Sequence, residues 1–214
     1  MNTARSNGLA ALLVGIALAA VASLARPASA QEIPTRGLRL ALAGELGNGR
    51  MPLLPPNGVD KPKAEESLLL GARISADYGF GERLSLETAF AADWYAMKDF
   101  AVYELDVAPR IRWIERGYRE WYIRPVVGVG FAAPVETHVG LVAGLGFGFR
   151  RQLTERLDAF VEIGYRLRWF RHYDAAFAAD TWQGYGMPSA EAPNGLACFL
   201  GVTAGVGLGV GGSR

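Results

Sequence analysis

Residues 102–114 read V-Y-E-L-D-V-A-P-R-I-R-W-I. Side chains of an extended chain point alternately to opposite faces. Tyr103, Leu105, Val107, Ile111 and Trp113 therefore share one face, and Glu104, Asp106, Arg110 and Arg112 share the other. The stretch predicts a strand with one wholly apolar side and one densely charged side.

The same period of two runs outward in both directions. Toward the N-terminus, Gly37 to Gly47 sets Leu38, Leu40, Leu42 and Leu46 against Arg39 and Glu45. Ser67 to Gly79 sets Leu68, Leu70, Ala72, Ile74, Ala76 and Tyr78 against Arg73 and Asp77. Leu84 to Trp94 sets Leu86, Phe90 and Ala92 against Glu87 and Asp93. Toward the C-terminus, Trp121 to Phe131 sets Ile123, Val127 and Val129 against Arg124 and two glycines. Val139 to Arg150 sets Leu141, Leu145, Phe147 and Phe149 against four glycines and Arg150. Leu157 to Trp169 sets Val161, Ile163, Tyr165 and Leu167 against Asp158, Glu162, Arg166 and Arg168. Leu196 to Val210 sets Leu200, Val202, Val206 and Leu208 against Thr203 and several glycines. Eight strands result, and no Asp, Glu, Lys or Arg falls on any apolar face.

The sixteen strand charges, eight arginines and eight acids, all lie on the opposite faces. Two architectures produce that pattern. A soluble barrel or sandwich buries the apolar face and wets the charged one. A membrane barrel turns the apolar face to lipid and encloses the charged one. Three features favour the membrane. The first thirty residues read as a signal peptide: Arg5 supplies the positive region, Leu9 to Leu24 the apolar run, and Ala28-Ser29-Ala30 the cleavage site, so the mature chain is expected from Gln31. Aromatics collect at strand ends, with Tyr78, Trp113, Trp121 and Phe149 beside one set of turns and Trp94, Phe131 and Trp169 near the other, as in two interfacial girdles. The connections alternate in length. Residues 79–83, 115–120 and 151–156 are short, whereas 48–66 and 173–195 are long and rich in Pro and Gly. Strands of about 11 residues also suit the membrane thickness. A lipocalin-like soluble barrel is the competing architecture.

These segments, the signal peptide, the inward set of arginines and carboxylates and the glycine-rich last strand resemble the small outer-membrane β-barrel proteins. That group includes the OmpA transmembrane domain and the opacity-type and OmpW-type barrels. The resemblance covers the whole mature chain as a pattern and implies an all-β, eight-stranded antiparallel up-and-down transmembrane barrel over residues 31–214, after a signal peptide over 1–30. It implies the outer membrane of a Gram-negative bacterium, both mature termini in the periplasm, outer-membrane lipid as surroundings and the barrel-assembly machinery as a partner in biogenesis. The chain departs from many members by ending Val210-Gly211-Gly212-Ser213-Arg214 rather than on an aromatic residue.

Composition bounds the chemistry. A formal net charge of +1 gives no reason to expect nucleic acid as a partner. One cysteine and two histidines leave no disulfide and no metal site, and no cofactor is expected. The lumen of an eight-stranded barrel is just wide enough for side chains. Arg39, Glu45, Arg73, Asp77, Glu87, Asp93, Glu104, Asp106, Arg110, Arg112, Arg124, Arg150, Asp158, Glu162, Arg166 and Arg168 are thus expected to pair there as a salt-bridged plug, since unpaired charges in so narrow a space are very costly. The inward glycines admit two readings: space for a polar channel, or room for neighbouring side chains. Pro109 and Pro125 face each other if the hairpin turns about Gly117, where a local bulge or kink is expected. An enzyme acting on lipid A would need a hydroxyl positioned by a histidine. Resemblance to the lipid A deacylases would call for a serine two residues after the histidine, but Asp174 stands there after His172, nothing places Ser67 beside His172, and His138 is a single strand-end histidine with no ligand partners for a metal site. The leading expectation is a non-enzymatic structural or surface-exposed barrel. A narrow pore, a lipid A-modifying enzyme and a soluble periplasmic barrel follow in that order, and any external partner of the long loops is unknown.

Overall fold

The computed structural model describes residues 36–51, 65–95, 100–115, 118–133, 138–170 and 195–210. Every regular element among them is a strand: β1 (Arg36–Met51), β2 (Glu65–Phe80), β3 (Leu84–Tyr95), β4 (Phe100–Glu115), β5 (Arg119–Ala133), β6 (His138–Gln152), β7 (Leu157–Phe170) and β8 (Gly195–Val210). Each strand pairs antiparallel with its sequence neighbours, and β8 returns to β1, so the sheet is a closed up-and-down barrel. Closure pairs every strand edge, which an apolar solvent demands.

All eight expected strands form, but they are longer than the alternation indicated. β3 has 12 residues, β7 has 14, and the other six strands have 16 or 15. Charged or polar residues such as Arg36, Glu115, Arg119 and Gln152 border the alternating stretches. The backbone ladder does not depend on side-chain polarity and continues through them. The expected long connection at 48–66 shrinks accordingly, since β1 reaches Met51 and β2 begins at Glu65.

The register sets the tilt. Leu40 pairs with Ala76, and the line continues through Thr88, Val107, Val127, Ala143, Leu167 and Cys198 to Arg50, ten residues further along β1. Ten residues of slip, about 33 Å, around a circumference of eight strand spacings, about 38 Å, tilt the strands by about 40°. Even β3 then rises about 30 Å along the axis, more than the apolar band of about 25 Å in barrels of this kind.

Pro109 and Pro125 interrupt one seam. The β4–β5 register runs through Val107↔Val127, lapses, and resumes unchanged at Ile111↔Ile123. Because the offset is the same on both sides, there is no inserted residue. The expected bulge is instead a gap in the ladder, at two facing residues that lack an N–H to donate.

Candidate functional site: the barrel lumen

Large apolar side chains cover the outside: Leu42, Ile74, Leu105, Val127, Leu141, Leu145, Ile163 and Leu200 are all more than half exposed. The buried residues are the charged ones. All sixteen strand charges named from the alternation are buried, none more than 6% exposed. Their partners show where they are buried. Arg168 of β7 bonds Asp93 of β3, and Arg166 of β7 bonds Glu104 of β4. Strands that far apart in the cyclic order meet only through the lumen.

The network is layered along the axis. At the end carrying the short turns, Arg39 grips Asp158 with two bonds, Nε to Oδ2 at 2.7 Å and Nη2 to Oδ1 at 2.5 Å. Arg150 bonds Glu120, and Arg112 lies 3.5 Å from the same carboxylate. Arg110 donates to Asp77 at 2.8 Å and to Glu87, with its guanidinium carbon 4.4 Å from the centroid of the Tyr122 ring. In the middle, Arg73 donates to Asp106 at 2.8 Å and Glu87 at 3.1 Å, while Arg124 holds Glu162 through bonds of 2.9 and 2.5 Å. At the opposite end, Arg166 holds Glu45 through bonds of 2.9 and 2.7 Å, and Arg168 joins Glu104, Asp93 and the Tyr95 hydroxyl. Such fork-to-carboxylate pairs are the strongest neutralisation available to a buried charge.

The inward glycines are crossing points. Arg39 of β1 must pass β8 to reach Asp158 of β7, and it lies over Gly207, where a β-carbon would collide with its guanidinium. Arg124 of β5 and Glu162 of β7 meet across β6 at Gly146, where a β-carbon would sit 2.6 Å from the Glu162 carboxyl carbon. The Tyr122 ring rests on Gly148, and the Phe199 ring on Gly47 and Gly201. Of the two readings of these glycines, the geometry favours room for side chains.

Glu120 escaped the sequence reading, which placed it in a turn. It lies in β5, points inward and is fully buried, giving nine buried carboxylates to eight buried arginines among the described residues. Its signal was parity: Glu120, Tyr122 and Arg124 are spaced by two. Tyr95, Phe160, Phe170 and Phe199 also fill the lumen. Several buried polar atoms have no partner, among them Ser85 Oγ, the Tyr122 hydroxyl, Glu120 Oε1, Asp77 Oδ1 and Asp106 Oδ2. Buried polar atoms of this kind are ordinarily met by internal water.

His138 opens β6 but its side chain, like that of Ser67, lies outside the described residues, as do His172, Asp174 and residues 1–30. No group of His, Cys, Asp and Glu among the described residues could hold a metal ion. No helix among them is long and apolar enough to cross a membrane, which leaves crossing by strands untouched.

An apolar outside, a charged and interlocked inside and eight closed antiparallel strands define a small β-barrel of the outer-membrane type. The comparisons agree. The structure is similar to that of Neisserial surface protein A (NspA), with 13% identity, 80% of this chain and 97% of that chain covered, and a TM-score of 0.52. Lower scores relate it to Ail, the attachment invasion locus protein of Yersinia pestis (14% identity, 79% and 99% covered, TM-score 0.40), and to the outer membrane protein OprG from Pseudomonas aeruginosa (12%, 82% and 97%, 0.37). No protein-family model and no curated protein matches the sequence. At these identities the likeness is one of fold.

Proposed function

We propose that this chain is a non-enzymatic structural or surface-exposed barrel of a Gram-negative outer membrane, with a lumen closed by its own salt bridges. Residues 1–30 would be a signal peptide and the mature chain would start at Gln31. The barrel-assembly machinery would insert it with the short turns and both termini in the periplasm. The observation that carries the closed lumen is the interlocking of Arg39, Arg73, Arg110, Arg124, Arg166 and Arg168 with carboxylates on strands that are not their neighbours, at every level of the axis. An ion entering would have to replace charge-assisted bonds in a space already filled by Phe160, Tyr122 and Phe199. The lumenal charges are engaged with one another, so they support a mechanical role rather than a catalytic one. Surface roles would fall to the connections at the end opposite the short turns.

Single-channel recording from the refolded chain, Gln31 to Arg214, in a planar bilayer tests the reading. Silence from inserted, folded protein is the expected result. Reproducible conductance steps would replace it with the second reading, a narrow pore for small solutes. The buried polar atoms without partners favour that alternative, because they point to water in the lumen.

A further inference from the structure

The lapse between β4 and β5 leaves two acceptors without ladder donors. The Arg112 N–H donates to the Arg83 carbonyl at 2.9 Å, so even-numbered backbone groups of β4 point to β3 and odd-numbered ones to β5. The Gln152 N–H donates to the Tyr118 carbonyl at 3.0 Å, which in the same way turns the odd-numbered groups of β5 toward β4. Pro109 and Pro125 therefore occupy a position where facing residues exchange two N–H···O bonds, as Val107 and Val127 do beside them. Both N–H groups are missing, so each carbonyl is aimed at a residue that cannot donate. The other seven ladders run without a lapse.

The lapse is deep in the wall. It lies four residues from the Trp113–Trp121 pair and six from the Tyr103–Phe131 pair, the aromatic rows toward the two ends. At the tilt of the strands these separations are about 10 Å and about 16 Å along the axis. In a bilayer the two carbonyls then sit at the level of hydrocarbon, where an unmet backbone group is costly and acyl chains have no donor to offer. Donors stand on the other side of the wall. The residues adjoining the two prolines are Arg110 and Arg124, both buried in the lumen. Arg110 Nε and Arg124 Nη1 donate no hydrogen bond, although Arg124 Nη1 lies 3.2 Å from Glu87 as an ion pair. A buried water needs two to four polar partners, and carbonyls and guanidinium groups of this kind supply them.

We propose that the β4–β5 seam is a water-binding site within the barrel wall. Water bonds the Pro109 and Pro125 carbonyls from the lumenal side, with Arg110 and Arg124 behind it. The proposal rests on the membrane reading above, which is what denies these carbonyls bulk solvent. Water held in this way carries an ordering cost that a direct ladder bond does not, so the prolines weaken the seam without leaving its carbonyls bare.

Water-edited solid-state NMR of the full chain in dimyristoylphosphatidylcholine vesicles tests it. This lipid has no O–H or N–H group, so water is the one external donor present. Polarisation is expected to pass from water to the Pro109 and Pro125 carbonyl carbons severalfold faster than to those of Val107 and Val127, which are paired in the ladder beside them. P109V/P125V, which restores both N–H groups, is expected to slow the transfer at 109 and 125 to the level of Val107. Equal rates at the four carbonyls of the unaltered protein overturn the site. Fast transfer that persists in P109V/P125V also overturns it, by showing that the prolines do not create it. The exposed side chains of Leu105, Leu141 and Leu145 are read in the same spectra for contact with lipid. If they too take polarisation directly from water, the outer wall is wet, and the membrane reading fails and the proposal with it. That result is distinct from a lipid-covered wall whose prolyl carbonyls are dry, which overturns the water site alone.

Discussion

The two walls of the same strands obey opposite rules. On β7, Ile163 is 59% exposed, while Arg168, five residues on, is fully buried. In a water-soluble protein the large aliphatic goes in and the arginine comes out. Here the inversion holds around all eight strands, and it teaches that the solvent of the outer wall is apolar. The inner wall is then a small polar interior whose charges have only one another to pair with. The outer wall needs only to be apolar, so many residues serve at each position. The inner wall needs particular partners at particular distances, and single changes there carry the larger penalties.

The largest effect is expected inside. Arg124→Met leaves Glu162 without its two bonds and is expected to cost about 3–5 kcal/mol in urea unfolding from micelles. A cost below about 1 kcal/mol would mean that water screens the pair and that the lumen is open to solvent. On the outer wall, Ile163→Arg should cost about 2–4 kcal/mol in a bilayer by placing a charge on the lipid face. If it is neutral, the outer wall faces water and the inversion has been misread.

Between these walls the glycine crossings offer a matched pair. A β-carbon at Gly148 would collide with the Tyr122 ring, so Gly148→Ala is expected to cost about 1–3 kcal/mol by overpacking. At Gly164 the nearest atom would lie 3.7 Å away, and Gly164→Ala should leave unfolding unchanged. Similar behaviour at both positions would mean that the lumen is not packed around Tyr122. The smallest effect belongs to the β4–β5 seam. Replacing Pro109 and Pro125 together by valine restores two donors where the ladder lapses. It should stabilise the barrel by about 1 kcal/mol and raise hydrogen-exchange protection at the seam. No gain would mean that the carbonyls there are already satisfied.

Alternation made the faces legible because strand geometry is rigid: a residue's parity alone assigns its wall. It failed at Glu120, where a cluster of charges imitated a turn while the backbone ladder carried on through it. It also passed over Tyr122 and Phe199, which share the inward parity but are apolar enough in name to suggest the outer wall. The position of Pro109 opposite Pro125 was legible from the hairpin alone. Whether the seam bulged or merely lapsed was not, because that depends on the offset kept by the pairs on either side.

By itself, then, the order of residues determined the number of strands, which wall each side chain joins, and that the charged wall must be enclosed. These follow from local stereochemistry and from the cost of placing charge in lipid. Only the tertiary structure decided that Arg39 reaches past Gly207 to Asp158, that Arg168 finds Asp93 across the lumen, and that Arg119 and Arg151 meet over Tyr118. Those contacts depend on the ten-residue slip accumulated around the closed sheet. That slip sets which levels of distant strands coincide, and it is a property of the closed ring rather than of any one segment.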